Sequence, residues 1–89
     1  MLKDQTKYFK ELDFKKSEEV EGNYVGADGA YYCISHFGST YCIERAMTKE
    51  EAVKGWHEDV FLMDDDADDD AITVTIREKL EELLKEPKV

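Results

Sequence analysis

At 89 residues the chain can enclose one modest core and not two, so its function must fit a single compact unit spanning residues 1–89. Its 22 acidic and 12 basic side chains leave a net charge of −10, a field that repels nucleic acid and anionic lipid and attracts basic protein surfaces. No run approaches the roughly 20 apolar residues of a membrane helix, and Met1, Leu2, Lys3 and Asp4 lead into charged sequence instead of the apolar core of a secretory signal, so the expected address is cytoplasmic.

Hydrophobic residues at 42%, with five Tyr, four Phe and one Trp, supply enough bulk for a folded core despite the charge. The first sixteen residues are locally basic, and Tyr8, Phe9 and Leu12 fit one face of a short helix. Tyr8, Leu12 and Phe14 also share one parity, so a strand is the alternative. Residues 15–22 read as a solvated connection that Gly22 can end.

Residues 23–45 carry β-rich runs divided by Asp28-Gly29 and Gly38-Ser39, pairs suited to the type I′ and II′ turns of tight hairpins. A three-stranded antiparallel meander follows. With two-residue turns, Ala27 faces Ala30, Val25 faces Tyr32, Phe37 faces Thr40 and Ile34 faces Ile43. One face then holds Val25, Tyr32, Ile34, His36, Tyr41, Ile43 and Arg45, the expected core side. The other holds Tyr24, Tyr31, Cys33, Ser35, Phe37, Cys42 and Glu44.

Thr48 and Glu51 form a capping box for a helix over about residues 49–56, with Ala52, Val53 and Trp56 inward and Gly55 weakening its end. Residues 60–63 are too short to classify by periodicity, and residues 59–63 either pair as a strand with 71–75 or extend the preceding helix. The dense like charge of residues 64–70 opposes regular structure and predicts a loop. Residues 71–75 read as a strand by β-branching, and Thr75 with Glu78 can cap a final helix built on Ile76, Leu80, Leu83 and Leu84, ended by Pro87. The expected class is α+β, a small antiparallel sheet of three to five strands packed with short helices.

The most unusual feature is the absence of Lys and Arg between Lys54 and Arg77, where Glu58, Asp59, Asp64, Asp65, Asp66, Asp68, Asp69 and Asp70 all fall. Such a run reads either as a solubilising loop or as a stand-in for a nucleic-acid backbone, its carboxylates accepting the Arg and Lys that would otherwise hold phosphates. Calcium in an EF-hand is excluded by register: started at Asp64, the sixth position is Asp69 instead of Gly and the twelfth is Thr75. Zinc or thiol chemistry would need Cys33, His36, Cys42 and His57 to converge, but the hairpin register sends His36 to the face opposite both cysteines. Cys33 and Cys42 are expected as reduced, buried thiols. Neither a phosphate loop nor a carboxylate in an apolar context is legible. The expectation is a binding protein with no cofactor, no metal and no catalytic residue.

The order of an N-terminal helix, a meander, a helix ending in Gly55-Trp56, an acidic segment and then Ile72-Thr73-Val74-Thr75 resembles the small acidic phage anti-CRISPR proteins that inhibit type II Cas nucleases. The resemblance implies an acidic surface seated where the nuclease reads the duplex motif beside its target. It implies Glu58, Asp59, Asp64, Asp65, Asp66, Asp68, Asp69 and Asp70 as the contacts to a basic partner. Residues 60–63 are apolar where that family's segment stays acidic, and the helix from Ile76 is an addition. The rival expectation is a structural or adaptor protein, monomeric or homodimeric, whose acidic loop serves solubility.

Overall fold

The computed structural model describes residues 6–86. In chain order it contains α1 (Thr6–Phe9), β1 (Phe14–Lys16), β2 (Tyr24–Gly26), β3 (Tyr31–Phe37), β4 (Thr40–Ala46), α2 (Lys49–Lys54), β5 (Glu58–Asp64) and α3 (Asp69–Lys85). The strands form one antiparallel sheet in sequence order, β1-β2-β3-β4-β5, so the α+β expectation holds with five strands. Among the described residues no helix is long and apolar enough to cross a membrane.

Burial of α3 against one sheet face builds the core. Ile72, Ile76, Leu80 and Leu83 recur at helical spacing and are all buried, meeting Tyr24, Tyr32, Ile34 and Ile43 of the sheet and Tyr8 and Phe9 of α1. Phe9 stacks on Tyr24 with ring centroids 4.1 Å apart, and Phe14 meets Tyr32 edge to face at 5.3 Å, which anchors α1 and β1 to the same cluster. A second, smaller cluster of Val20, Ala46 and Ala52, with Tyr31 against it, seats α2 on the opposite face. The rest of that outer face carries Cys33, Ser35 and Phe37 of β3, opposite Glu44, Cys42 and Thr40 of β4.

Several expectations are corrected. The N-terminal helix is a single turn, and Phe14 to Lys16 extend as β1 against β2, where Phe14 faces Gly26 and packs edge to face on Tyr32 in the core. Residues 15–22 are therefore not wholly a connection. The first hairpin turns through three residues, Ala27, Asp28 and Gly29: Gly26 N–H donates to Ala30 O, Gly29 N–H to Gly26 O, and Gly29 takes φ +82°. That extra residue shifts the register, so Tyr24 faces Tyr32 and Val25 faces Tyr31. Tyr24 joins the core in place of Val25. The second hairpin keeps its expected register, Phe37 facing Thr40 and Ile34 facing Ile43.

Half of the expected capping box forms: Thr48 Oγ1 accepts from Glu51 N–H at 3.2 Å, while the Glu51 carboxylate accepts from the Thr48 hydroxyl and not from a backbone N–H. Val53 and Trp56 are exposed, however, not inward. The helix ends at Lys54 because Gly55, at φ +76°, reverses the chain, and Gly55 and Trp56 N–H close on Ala52 and Glu51 carbonyls; Trp56 leaves the helix face and lies under the Lys54 ammonium.

Residues 71–75 are helix, not strand. Asp68 caps α3 by accepting from Ala71 N–H at 2.8 Å, so Thr75 lies inside the helix, its hydroxyl donating to Ala71 O. Residues 59–63 belong to β5, which pairs with β4 and not with 71–75. The start of the N-terminal segment and Pro87 lie outside the described residues.

Candidate functional site

The acidic residues fall into two groups with different local causes. Asp64 closes β5, Asp65 N–H donates to Ser39 O at the tip of the β3–β4 hairpin, and Asp68, Asp69 and Asp70 occupy the cap and first turn of α3. Amide donors at a helix start and the positive end of its dipole stabilise carboxylates there, so the like charge that argues against structure is partly offset by the helix it precedes. The expected seven-residue loop shrinks to residues 65–68.

Several of these carboxylates have partners. Asp65 Oδ2 lies 2.8 Å from His36 Nε2, whose ring stacks on Tyr41 at 4.0 Å. Asp69 receives the Lys7 ammonium at 3.1 Å, and that hydrogen bond raises the Lys7 pKa. Glu58 accepts from Arg45 at 3.2 Å across the sheet. Among the described residues Asp64, Asp66 and Asp70 have no Lys, Arg or His ion-pair partner, and all are exposed. With Asp68, which is exposed, caps α3 and likewise has no cationic partner among the described residues, they carry the uncompensated charge of the segment.

Asp59 does not join them. Between Ile43 and Glu44 the β4–β5 ladder shifts by one: Ile43 pairs with Phe61 while Glu44 pairs with Asp59, and Val60 is the extra residue. The bulge lets Val60 pack on the core and brings Asp59 opposite Glu44 on the outer face. There the Cys42 thiol donates to Asp59 Oδ1 at 3.2 Å, while the Cys33 thiol at 3.4 Å and the Ser35 hydroxyl at 2.6 Å both donate to Glu44 Oε1. The two cysteines are free, as expected from the chain. Burial, reinforced by the facing carboxylates, pushes both thiols up to about 12.

The hairpin register already put Cys33, Cys42 and Glu44 on one face. It missed Asp59, because a bulge has no signature in a run as short as residues 60–63. His36 and His57 stay apart from the thiols: His36 holds Asp65, and His57 Nε2 lies 2.7 Å from Oδ1 of the buried Asn23.

No family model, curated protein or solved structure matches the chain. The functional reading therefore rests on the geometry of these two groups.

Proposed function

We propose that the chain is an acidic inhibitor that binds a basic nucleic-acid groove on a host nuclease or other DNA-handling protein by DNA mimicry, in the manner of the anti-CRISPR proteins it resembles. One observation supports this reading most. Asp64 ends β5, Asp70 lies in the first turn of α3 and Asp66 in the short loop between them, all exposed and without cationic partners among the described residues. Fixed carboxylates lose less conformational entropy on binding Arg or Lys than a mobile tail would. Displacement of counterions from both surfaces then makes the association salt-dependent.

The test is capture with tagged protein from host lysate at low and high salt, together with inhibition of duplex cleavage by a guide-loaded type II Cas nuclease. The triple variant Asp64→Asn, Asp66→Asn, Asp70→Asn spares the Asp68 cap and the Asp69–Lys7 pair, so it should fold normally and lose binding. Equal binding by the triple variant would refute mimicry.

The second reading, a homodimeric structural or adaptor protein, is favoured by Phe37 and Leu62, which are 67% and 59% exposed on the outer face. Sedimentation equilibrium separates the two: a salt-insensitive dimer that Leu62→Glu dissolves supports the second.

A further inference from the structure

The cluster on the outer face is unlike an ordinary solvated sheet surface in three respects. Glu44 and Asp59 are direct cross-strand partners, an arrangement of like charges that destabilises a sheet unless something sits between them. Among the described residues neither has a Lys or Arg ion-pair partner. A dedicated backbone irregularity brings the second carboxylate there, since an unbulged ladder would set Val60 opposite Glu44. The Cys42 sulfur and one oxygen from each of Glu44 and Asp59 lie within 4.8 Å of one another. Cys33 Sγ is 3.4 Å from Glu44 Oε1 but outside that 4.8 Å group, so it can donate to an ion only if its side chain moves toward Cys42.

We propose that Cys42, Glu44 and Asp59, with Cys33 as fourth donor, form a binding site for a thiophilic divalent cation, Zn²⁺ by the chemistry of the donors. Thiolate sulfur and carboxylate oxygen are both accepted ligands of tetrahedral zinc, whereas calcium and magnesium take oxygen alone. Two carboxylates and two thiols, each thiol releasing its proton to solvent as it binds, supply four negative charges around the ion. The cation separates Glu44 from Asp59 and replaces the S–H donation that links each thiol to a carboxylate in its absence. The Ser35 hydroxyl, donating to Glu44 Oε1, fixes the orientation of one ligand from outside the coordination sphere, a role such groups commonly play. The donors come from β3, β4 and β5, so a bound ion clasps the central strands to the edge strand. This site is independent of the DNA-mimic reading, because Asp64, Asp66 and Asp70 take no part in it.

The experiment is titration of reduced, chelator-treated full-length protein with Cd²⁺ and with Co²⁺, following the thiolate-to-metal charge-transfer absorbance, which carboxylates alone do not produce. A saturable band reaching its plateau at one equivalent and erased by added Zn²⁺ is the expected result. The triple variant Asp64→Asn, Asp66→Asn, Asp70→Asn should keep the band, which separates the site from loose association of cations with the acidic segment. Cys42→Ser should abolish it. Asp59→Asn, at an exposed position where the fold is not at risk, should weaken binding by more than the roughly 10–100-fold typical of groups outside the coordination sphere. Absence of a thiolate band in wild-type protein, or a band with unchanged affinity in Asp59→Asn, overturns the assignment.

Discussion

A β-carbon at Gly26 would come within 2.8 Å of both Asp28 Oδ1 and Leu84 Cδ2 and within 3.1 Å of the Phe14 ring. The two nearest atoms end flexible side chains, but Asp28 is committed: its Oδ1 accepts from Ala30 N–H and its Oδ2 from the buried Tyr32 hydroxyl at 2.7 Å. Gly26→Ala should therefore cost about 1–2 kcal/mol in urea denaturation, as the hairpin gives way around the added methyl. Tyr32 itself has its pKa raised above the ordinary tyrosine range, first by burial and then by the Asp28 carboxylate. The folded state thus favours the protonated phenol. Its contribution to stability is complete below about pH 10, where the unfolded phenol is still protonated, and is lost as pH rises beyond that toward the folded value. Stability against pH should fall more steeply above pH 10 in wild type than in Tyr32→Phe, as measured by chemical denaturation. At this scale the sequence misled by a single residue: Asp28-Gly29 was legible as a turn, but a three-residue loop and a two-residue loop share that dipeptide, and the difference inverted Tyr24 and Val25.

The competition between local propensity and the longer pattern is clearest in α3. Ile72, Thr73, Val74 and Thr75 favour a strand by β-branching, and a strand would put Ile72 and Val74 on one face. The helix buries Ile72 and leaves Val74 51% exposed, because Ile72 continues the spacing of Ile76, Leu80 and Leu83 over the sheet. Three buried anchors downstream outweigh a propensity difference worth only tenths of a kcal/mol per residue. Leu80→Ala should cost about 2–5 kcal/mol, while Val74→Ala should be neutral or slightly stabilising, and thermal melts of the pair distinguish helix from strand. Asp68→Ala should cost about 1 kcal/mol through the lost cap, with Asp68→Asn retaining most of it. By contrast the α2 cap and the β3–β4 hairpin were legible because their signals, Thr48 with Glu51 and Gly38 with Ser39, lie within a few residues and face no competing pattern.

For the molecule as a whole, a charge of −10 on 89 residues makes self-repulsion a term in stability. Added monovalent salt should raise the melting temperature by screening it, and the triple Asn variant at 64, 66 and 70 should melt higher at low salt with a smaller salt response. The acidic segment was visible as composition alone, yet which carboxylates remain uncompensated depends on tertiary pairings such as Lys7 with Asp69, 62 residues apart, and Asp65 with His36, which no local reading of charge supplies. Strand β5, last in the sheet order, has a further consequence: beyond β4 it has no neighbour among the described residues, so a seven-residue row of backbone groups stands open along its outer margin. Such a row is where chains of a protein zip together into fibrils. Here Glu58 and Asp59 at one end meet Asp64 at the other when a second copy approaches antiparallel, so like charge at both ends of β5 acts as a gatekeeper against self-assembly at high concentration.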